Sequence, residues 1–165
     1  MRVQDMIDPS QDPSGILAGF VADLTYDQLP EEQREFIKKD ILDELGVMIA
    51  GTGHEDARRM MDVVREWAPA GSGKGRVVVY ADALPPVVSA FANGAIARGC
   101  DLGDAHNVGG HITEWVVPAL LSALPLTAQI ISGKDFMTAF AAGAEWGVRE
   151  QSNYQLQEHI KDTPG

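Results

Sequence analysis

Apolar positions along the chain recur with the period of helices rather than strands. After Pro30, the segment EEQREFIKKDILDELGVMIAG places Ile37, Ile41, Leu45 and Met48 on one face, with acids in the first turn and Gly51 at its exit. That pattern predicts an amphipathic helix with both ends marked. Glu55 to Trp67 repeats it with Met60, Met61, Val64 and Trp67, until APAGSGKG breaks the period with small residues and a proline. Pro85 and Pro86 suit a helix start, and Val87, Val88, Phe91, Ala92, Ala95 and Ile96 make a broad apolar face that ends near Gly99. Ala92, Gly94 and Ala95 are small enough to let another helix approach closely. Two more helices are expected over Pro118 to Ile131, read as buried, and over Lys134 to about Gln157, separated by Ser132 and Gly133. The β-branched run Arg76 to Tyr80 is too short to make a sheet alone. The expectation is an all-α bundle of about five helices, one domain over residues 16–165, behind a flexible polar arm of residues 1–15 that carries Pro9 and Pro13. The polar stretch Arg149 to Lys161 reads as a solvated helix or as a tail that packs on another subunit.

Composition narrows the function classes. A chain of 165 residues with 45% hydrophobic and 22% charged positions can bury a core and is not of disordered type. Its net charge of −11, from 24 acidic and 13 basic residues, argues against nucleic acid and against an anionic membrane surface, because both are held by clustered Lys and Arg. The longest apolar run, Val116 to Ile131, is short for a membrane span and contains Pro118 and Pro125. Cys100 is the single cysteine, so no internal disulfide can form, and the N-terminus has no apolar core of signal-peptide type. A cytoplasmic location is the simplest expectation.

Polar chemistry concentrates in RGCDLGDAHNVGGHITEW, where Asp101, Asp104, His106 and His111 fall within eleven residues around Gly109 and Gly110. Carboxylates and imidazoles held together can trade protons with a substrate near neutral pH. The plainer reading is that Asp101 and Asp104 cap turns and that His106 is hydrogen-bonded at the surface. These spacings match no well-specified metal signature. GSGKG is not a phosphate loop, since Ala68 and Gly75 stand where that motif needs Gly and Ser or Thr. His54 reads as a cap or surface residue, Cys100 as a small packed residue, and Trp67, Trp115 and Trp146 as core or interface anchors. Glu114 and Glu145 suit either the site or an exposed surface.

The run from Asp101 to His111, with HITEWVVPALLSALP after it, resembles the MmgE/PrpD family of dehydratases, decarboxylases and isomerases. The family's usual run is like DFDDTH, then a short spacer and GHPS. Asp101, Asp104, His106 and His111 occupy matching positions, whereas Gly103, Ala105, Ile112 and Thr113 depart from it. The resemblance continues through ILAGFVADLTYDQLP, ILDELGVMIAGTG, VVVYADALPPVVSAFANGAIARGCDLGDAH and DFMTAFAAGAEW, covering about residues 16–147 in order. It implies cofactor-independent proton transfer on a small carboxylate, with loss of water or carbon dioxide or with epimerisation. It makes Asp101 a candidate acid/base or orienting group and His111 a candidate proton donor or carboxylate binder, supported by Asp104 and His106.

Family members are longer, with an α/β lid domain and further histidine and lysine residues that His159 and Lys161, in QEHIKDTPG, do not match. The expectation is therefore a domain without that lid. It is read as a dehydratase-type lyase or, alternatively, as a noncatalytic binding or assembly module or one subunit of a split enzyme. Self-association, most simply as a dimer, or a partner chain is expected either way, since a helical fragment leaves apolar faces to cover.

Overall fold

The structure, a computed structural model, describes residues 12–107 and 109–161, and for residues 150 and 152–161 the backbone alone. It is all-α apart from one minimal ribbon. The helices are α1 (Pro13–Asp23), α2 (Glu31–Gly51), α3 (Glu55–Trp67), α4 (Pro86–Arg98), α5 (Thr113–Ala123) and α6 (Gly133–Lys161), with single 3-10 turns at Tyr26–Gln28 and Leu124–Leu126. The ribbon pairs β1 (Gly75–Arg76) antiparallel with β2 (Ala83–Leu84). Among the described residues, no helix is long and apolar enough to cross a membrane.

Local chemistry explains the helix ends. α2, α3 and α4 begin and end close to where the apolar period places them, and His54 caps α3 by accepting from the Asp56 amide at 3.3 Å. α1 was not foreseen. Asp12 accepts from the Ser14 amide and Pro13 stands at the first helical position, which together start a helix. Residues 13–15 of the expected arm are therefore helical, while residues 1–11 lie outside the described residues. Of α1 only Leu17 is buried, so its contribution to apolar periodicity is faint.

The expected helix over Pro118–Ile131 is displaced. α5 starts at Thr113, carries Pro118 in its interior and stops at Ala123. Proline cannot donate to the carbonyl four residues back. That carbonyl, of Glu114, instead lies against α4, where a Cβ on Gly94 would stand 3.2 Å from it. The segment after Ala123 is not buried: Leu126 is 72% and Ile130 97% exposed. The three tryptophans are likewise surface residues, Trp67 at 63%, rather than core anchors.

Two cores flank α4. One joins Ile37, Val47 and Met48 of α2, Val116 and Val117 of α5, Phe140 of α6 and Ala97 of α4. The other joins Ala57, Met61 and Val64 of α3 with Val77, Leu84, and Ala92 and Ile96 of α4. The ribbon is pinned to α4 by buried Asn93, whose amide donates to the Arg76 carbonyl at 2.8 Å and accepts from the Val78 amide at 2.9 Å. Arg65 of α3 grips Asp82 through two bonds, 3.0 and 2.9 Å, so the 75–84 segment is held from both sides.

Helix α2 touches α4 through Gly51, where a Cβ would lie 2.1 Å from the Ile96 carbonyl oxygen, whereas a Cβ on Gly46 of the same helix meets nothing within 4 Å. Gly51→Ala should therefore destabilise the fold by more than about 2 kcal/mol in urea unfolding. Gly46→Ala should be neutral or gain up to about 1 kcal/mol from helix propensity.

Candidate active site

The polar segment 101–111 is the connection from α4 to α5, so each of its residues is aimed by one helix end or the other. α4 ends at Arg98, and Asp101 turns the chain with φ of 51°, in the left-handed region that Asp tolerates better than most residues. Its carboxylate folds back to the Arg98 guanidinium at 2.7 Å. From the other side, His111 precedes α5 and places Nδ1 3.5 Å from a carboxylate oxygen of Glu114. Glu114 in turn lies 3.4 Å from Arg98. Asp101 and His111 are thus joined in a line of alternating charge, Asp101 to Arg98 to Glu114 to His111, if the imidazole is protonated. Glu114 is 5% exposed, while Asp101 remains open to solvent.

Asp104 and His106 serve different neighbours. Asp104 accepts the Thr113 hydroxyl from the start of α5, where a carboxylate is favoured by the helix dipole. The backbone of His106 exchanges two hydrogen bonds with Gly110, both 2.9 Å, and its Nδ1 accepts from the Gly109 amide at 3.0 Å. Gly110 has φ of 64°, which closes this tight loop. His106 therefore organises the Gly-rich turn, and the plainer reading of a hydrogen-bonded surface histidine describes it.

Sequence reasoning missed the second wall. Glu44 of α2 is 1% exposed, and among the described residues neither carboxyl oxygen has a hydrogen-bond partner. Burial pushes its pKa up to about 7, with Glu114, Asp104 and Asp43 adding to the rise and the neighbouring Thr113 hydroxyl opposing it. Asp40 is pushed up to about 6 by burial, with Asp104 and Asp43 adding to it. Acids of α2, the connection and α5 therefore converge on one spot. A Glu in the middle of an amphipathic helix reads as solvent-facing, and only its place beside the apolar positions Val47 and Met48 hinted otherwise.

Gly103, which departs from the family's run, also has a physical reason. A Cβ there would lie 2.3 Å from the Glu114 carboxylate, so the buried acid occupies the space a side chain would need. Among the described residues, no group of three or more His, Cys, Asp or Glu is arranged to hold a metal ion.

A groove of about 440 Å³ reaches the site, with Ala90, Phe91, Gly94, Ala95 and Trp115 as apolar walls and Arg98 and Glu114 at its polar end. A larger concavity of about 640 Å³ lies between α1 and α6, lined by Val21, Tyr26 and Trp146 among others, and Asp101, Asp104, His106 and His111 line neither hollow. The smaller groove is the relevant one because it alone of the two carries charged groups of the 98–114 cluster.

Two measurements test this geometry. Folding raises the Glu44 pKa, so the native state holds a proton that the unfolded chain, at about 4.5, gives up. Stability contributed by this group is present below pH 4.5 and is lost between there and about pH 7, a change of about 3 kcal/mol. Glu44→Gln should accordingly be more stable than the parent at about pH 8 by thermal melting, with the gain vanishing toward pH 5. Gly103→Ala should displace Glu114 from Arg98 and lower stability by about 1–3 kcal/mol in the same assay.

Comparison with known proteins agrees with this architecture. The sequence model of the MmgE/PrpD N-terminal domain matches residues 15–163. Cis-aconitate decarboxylase of Mus musculus is 30% identical over 133 residues, covering 78% of this chain and 26% of that protein. The chain thus spans about a quarter of the length of this curated relative. No solved structure matches. With its resemblance in the 101–111 run, its helical fold and a match over nearly its whole length, the chain belongs to the MmgE/PrpD family and corresponds to its N-terminal domain.

Proposed function

We propose that this chain carries proton-transfer groups of an MmgE/PrpD-type lyase, a dehydratase or related decarboxylase or isomerase, acting on a small carboxylic acid without a cofactor. The observation that carries the reading is the Asp101–Arg98–Glu114–His111 line, whose two inner members, Arg98 and Glu114, close the polar end of an apolar groove. In this reading His111 gives or takes a proton, its imidazole 3.5 Å from the Glu114 carboxylate. Asp101 is the second acid/base or orients the substrate, and Asp104 supports the loop. Arg98 supplies a guanidinium that matches a substrate carboxylate, against an otherwise acidic surround. The decarboxylase named above is similar to this chain over only part of its length, so its substrate is one candidate among several small carboxylates.

A second reading, an assembly module or one subunit of a split enzyme, is favoured by the exposed apolar surface along α3 and α4. Val87 is 83%, Trp67 63% and Phe91 50% exposed, with Trp67 and Phe91 rings 5.6 Å apart. Large exposed aromatics in one place fit a covered interface, most simply a dimer.

The purified chain, incubated in deuterated buffer with citrate, 2-methylcitrate, cis-aconitate or tartrate, should exchange solvent deuterium into one of them or turn it over. His111→Ala and Asp101→Asn should each slow that reaction on the order of 100-fold or more. Variants equal to the parent would remove the assignment. No binding and no exchange, with a dimer by light scattering, would instead favour the module reading.

A further inference from the structure

Thr113 stands between two carboxyl groups but owns one hydrogen to give. Its hydroxyl donates to Asp104, an exposed residue of the connection, and it also neighbours Glu44, the fully buried acid of α2 whose oxygens are otherwise unpartnered among the described residues. A hydroxyl has a single donor and two acceptor lone pairs. When Glu44 carries its proton, its own O–H can serve Thr113, and the Thr113 hydrogen stays on Asp104. When Glu44 is ionised, it becomes a second acceptor that competes for the same hydrogen, inside the core where an unpaired charge is costly.

We propose that Glu44 is a positioning residue for the candidate site, its buried carboxyl deciding whether the Thr113 hydroxyl stays on Asp104 and so whether the 101–111 connection is latched to α5. The proposal rests on the lyase reading only in treating that connection as functional; the latch itself needs no substrate. The groups that act on Glu44 are Asp43 of its own helix, Asp104 of the connection, and Thr113 and Glu114 of α5. None is a cation, so nothing in that set stabilises the ionised form except the Thr113 hydroxyl. Release of the Glu44 proton, near neutrality, therefore takes the hydrogen from Asp104 and adds a like charge beside it, loosening the connection at the end where Asp104 is tied.

The test is amide hydrogen exchange of the whole chain, read as protection relative to intrinsic rates, at about pH 6 and pH 8. Protection of the His106 and Gly110 amides, which pair with each other's carbonyls across the connection, should fall about fivefold at the higher pH, the factor that one net hydrogen bond is worth. Glu44→Gln cannot ionise and should abolish the fall; Glu44→Leu, which offers no competing acceptor, should do the same and covers the case that the glutamine folds poorly. Thr113→Val should give low protection at both pH values, and adding Glu44→Gln to it should change nothing further. Carbon-13 NMR of the Glu44 carboxyl should show it titrating within this range. The proposal is overturned by a parent whose protection does not change, by a Glu44→Gln variant that follows the parent, by unaltered protection in Thr113→Val, or by a Glu44 carboxyl ionised throughout. All of these are read without substrate, so a chain inert as a lyase would still decide the matter.

Discussion

Everything in this domain depends on how closely α4 can be enclosed. It is the helix shared by both cores, giving Ala92 and Ile96 to one and Ala97 to the other. Two neighbours reach its backbone rather than its side chains: α2 at Gly51 against the Ile96 carbonyl, and α5 through the Glu114 carbonyl at Gly94. Contacts of this kind tolerate no added methyl group without movement, because a packed interior has no spare volume. They fix where α4 ends and where α5 begins, and the site is the short chain between those two points.

That origin explains the chemistry of the site. Arg98 is the last residue of α4, and Thr113 and Glu114 open α5. The helix ends bring these groups to the two sides of one loop, with Asp101 and His111 at its outer corners. Glu44 arrives independently, because the α2 face that packs on the core also faces the start of α5. The result is a concentration of acids against one guanidinium and one imidazole. Such an arrangement is unfavourable for stability alone, since burial and like charge both resist ionisation. Among them Asp40 and Glu44 bear that cost, their pKa values raised by burial and by neighbouring acids.

Periodicity made most of the fold legible. α2, α3 and α4 follow from apolar spacing and from Pro and Gly punctuation, because burial of one face is the force that forms them. Where that force is weak or overridden, the reading slipped. α1 buries little, so its signal was a cap, Asp12 and Pro13, rather than a stripe. α5 carries Pro118 in its interior, with the orphaned Glu114 carbonyl lying against α4 at Gly94, a placement no local rule contains. The tryptophans are 36–63% exposed, a surface placement that fits the interface half of their expected role and not the core half.

For the site, the linear order of residues was enough for the segment and the residue types: acids and histidines between two apolar helices, around glycines that permit a tight turn, in an order that marks the family. Nearness in sequence only limits their separation, to roughly 35 Å for an extended chain. The partners of those groups come from the way the helices pack. Arg98, Glu114 and Glu44 lie at ordinary helical positions, and their burial and facing depend on which sides of α2, α4 and α5 meet. That is settled by long-range packing, the close approaches at Gly51 and Gly94 above all, and a one-dimensional pattern carries no record of it.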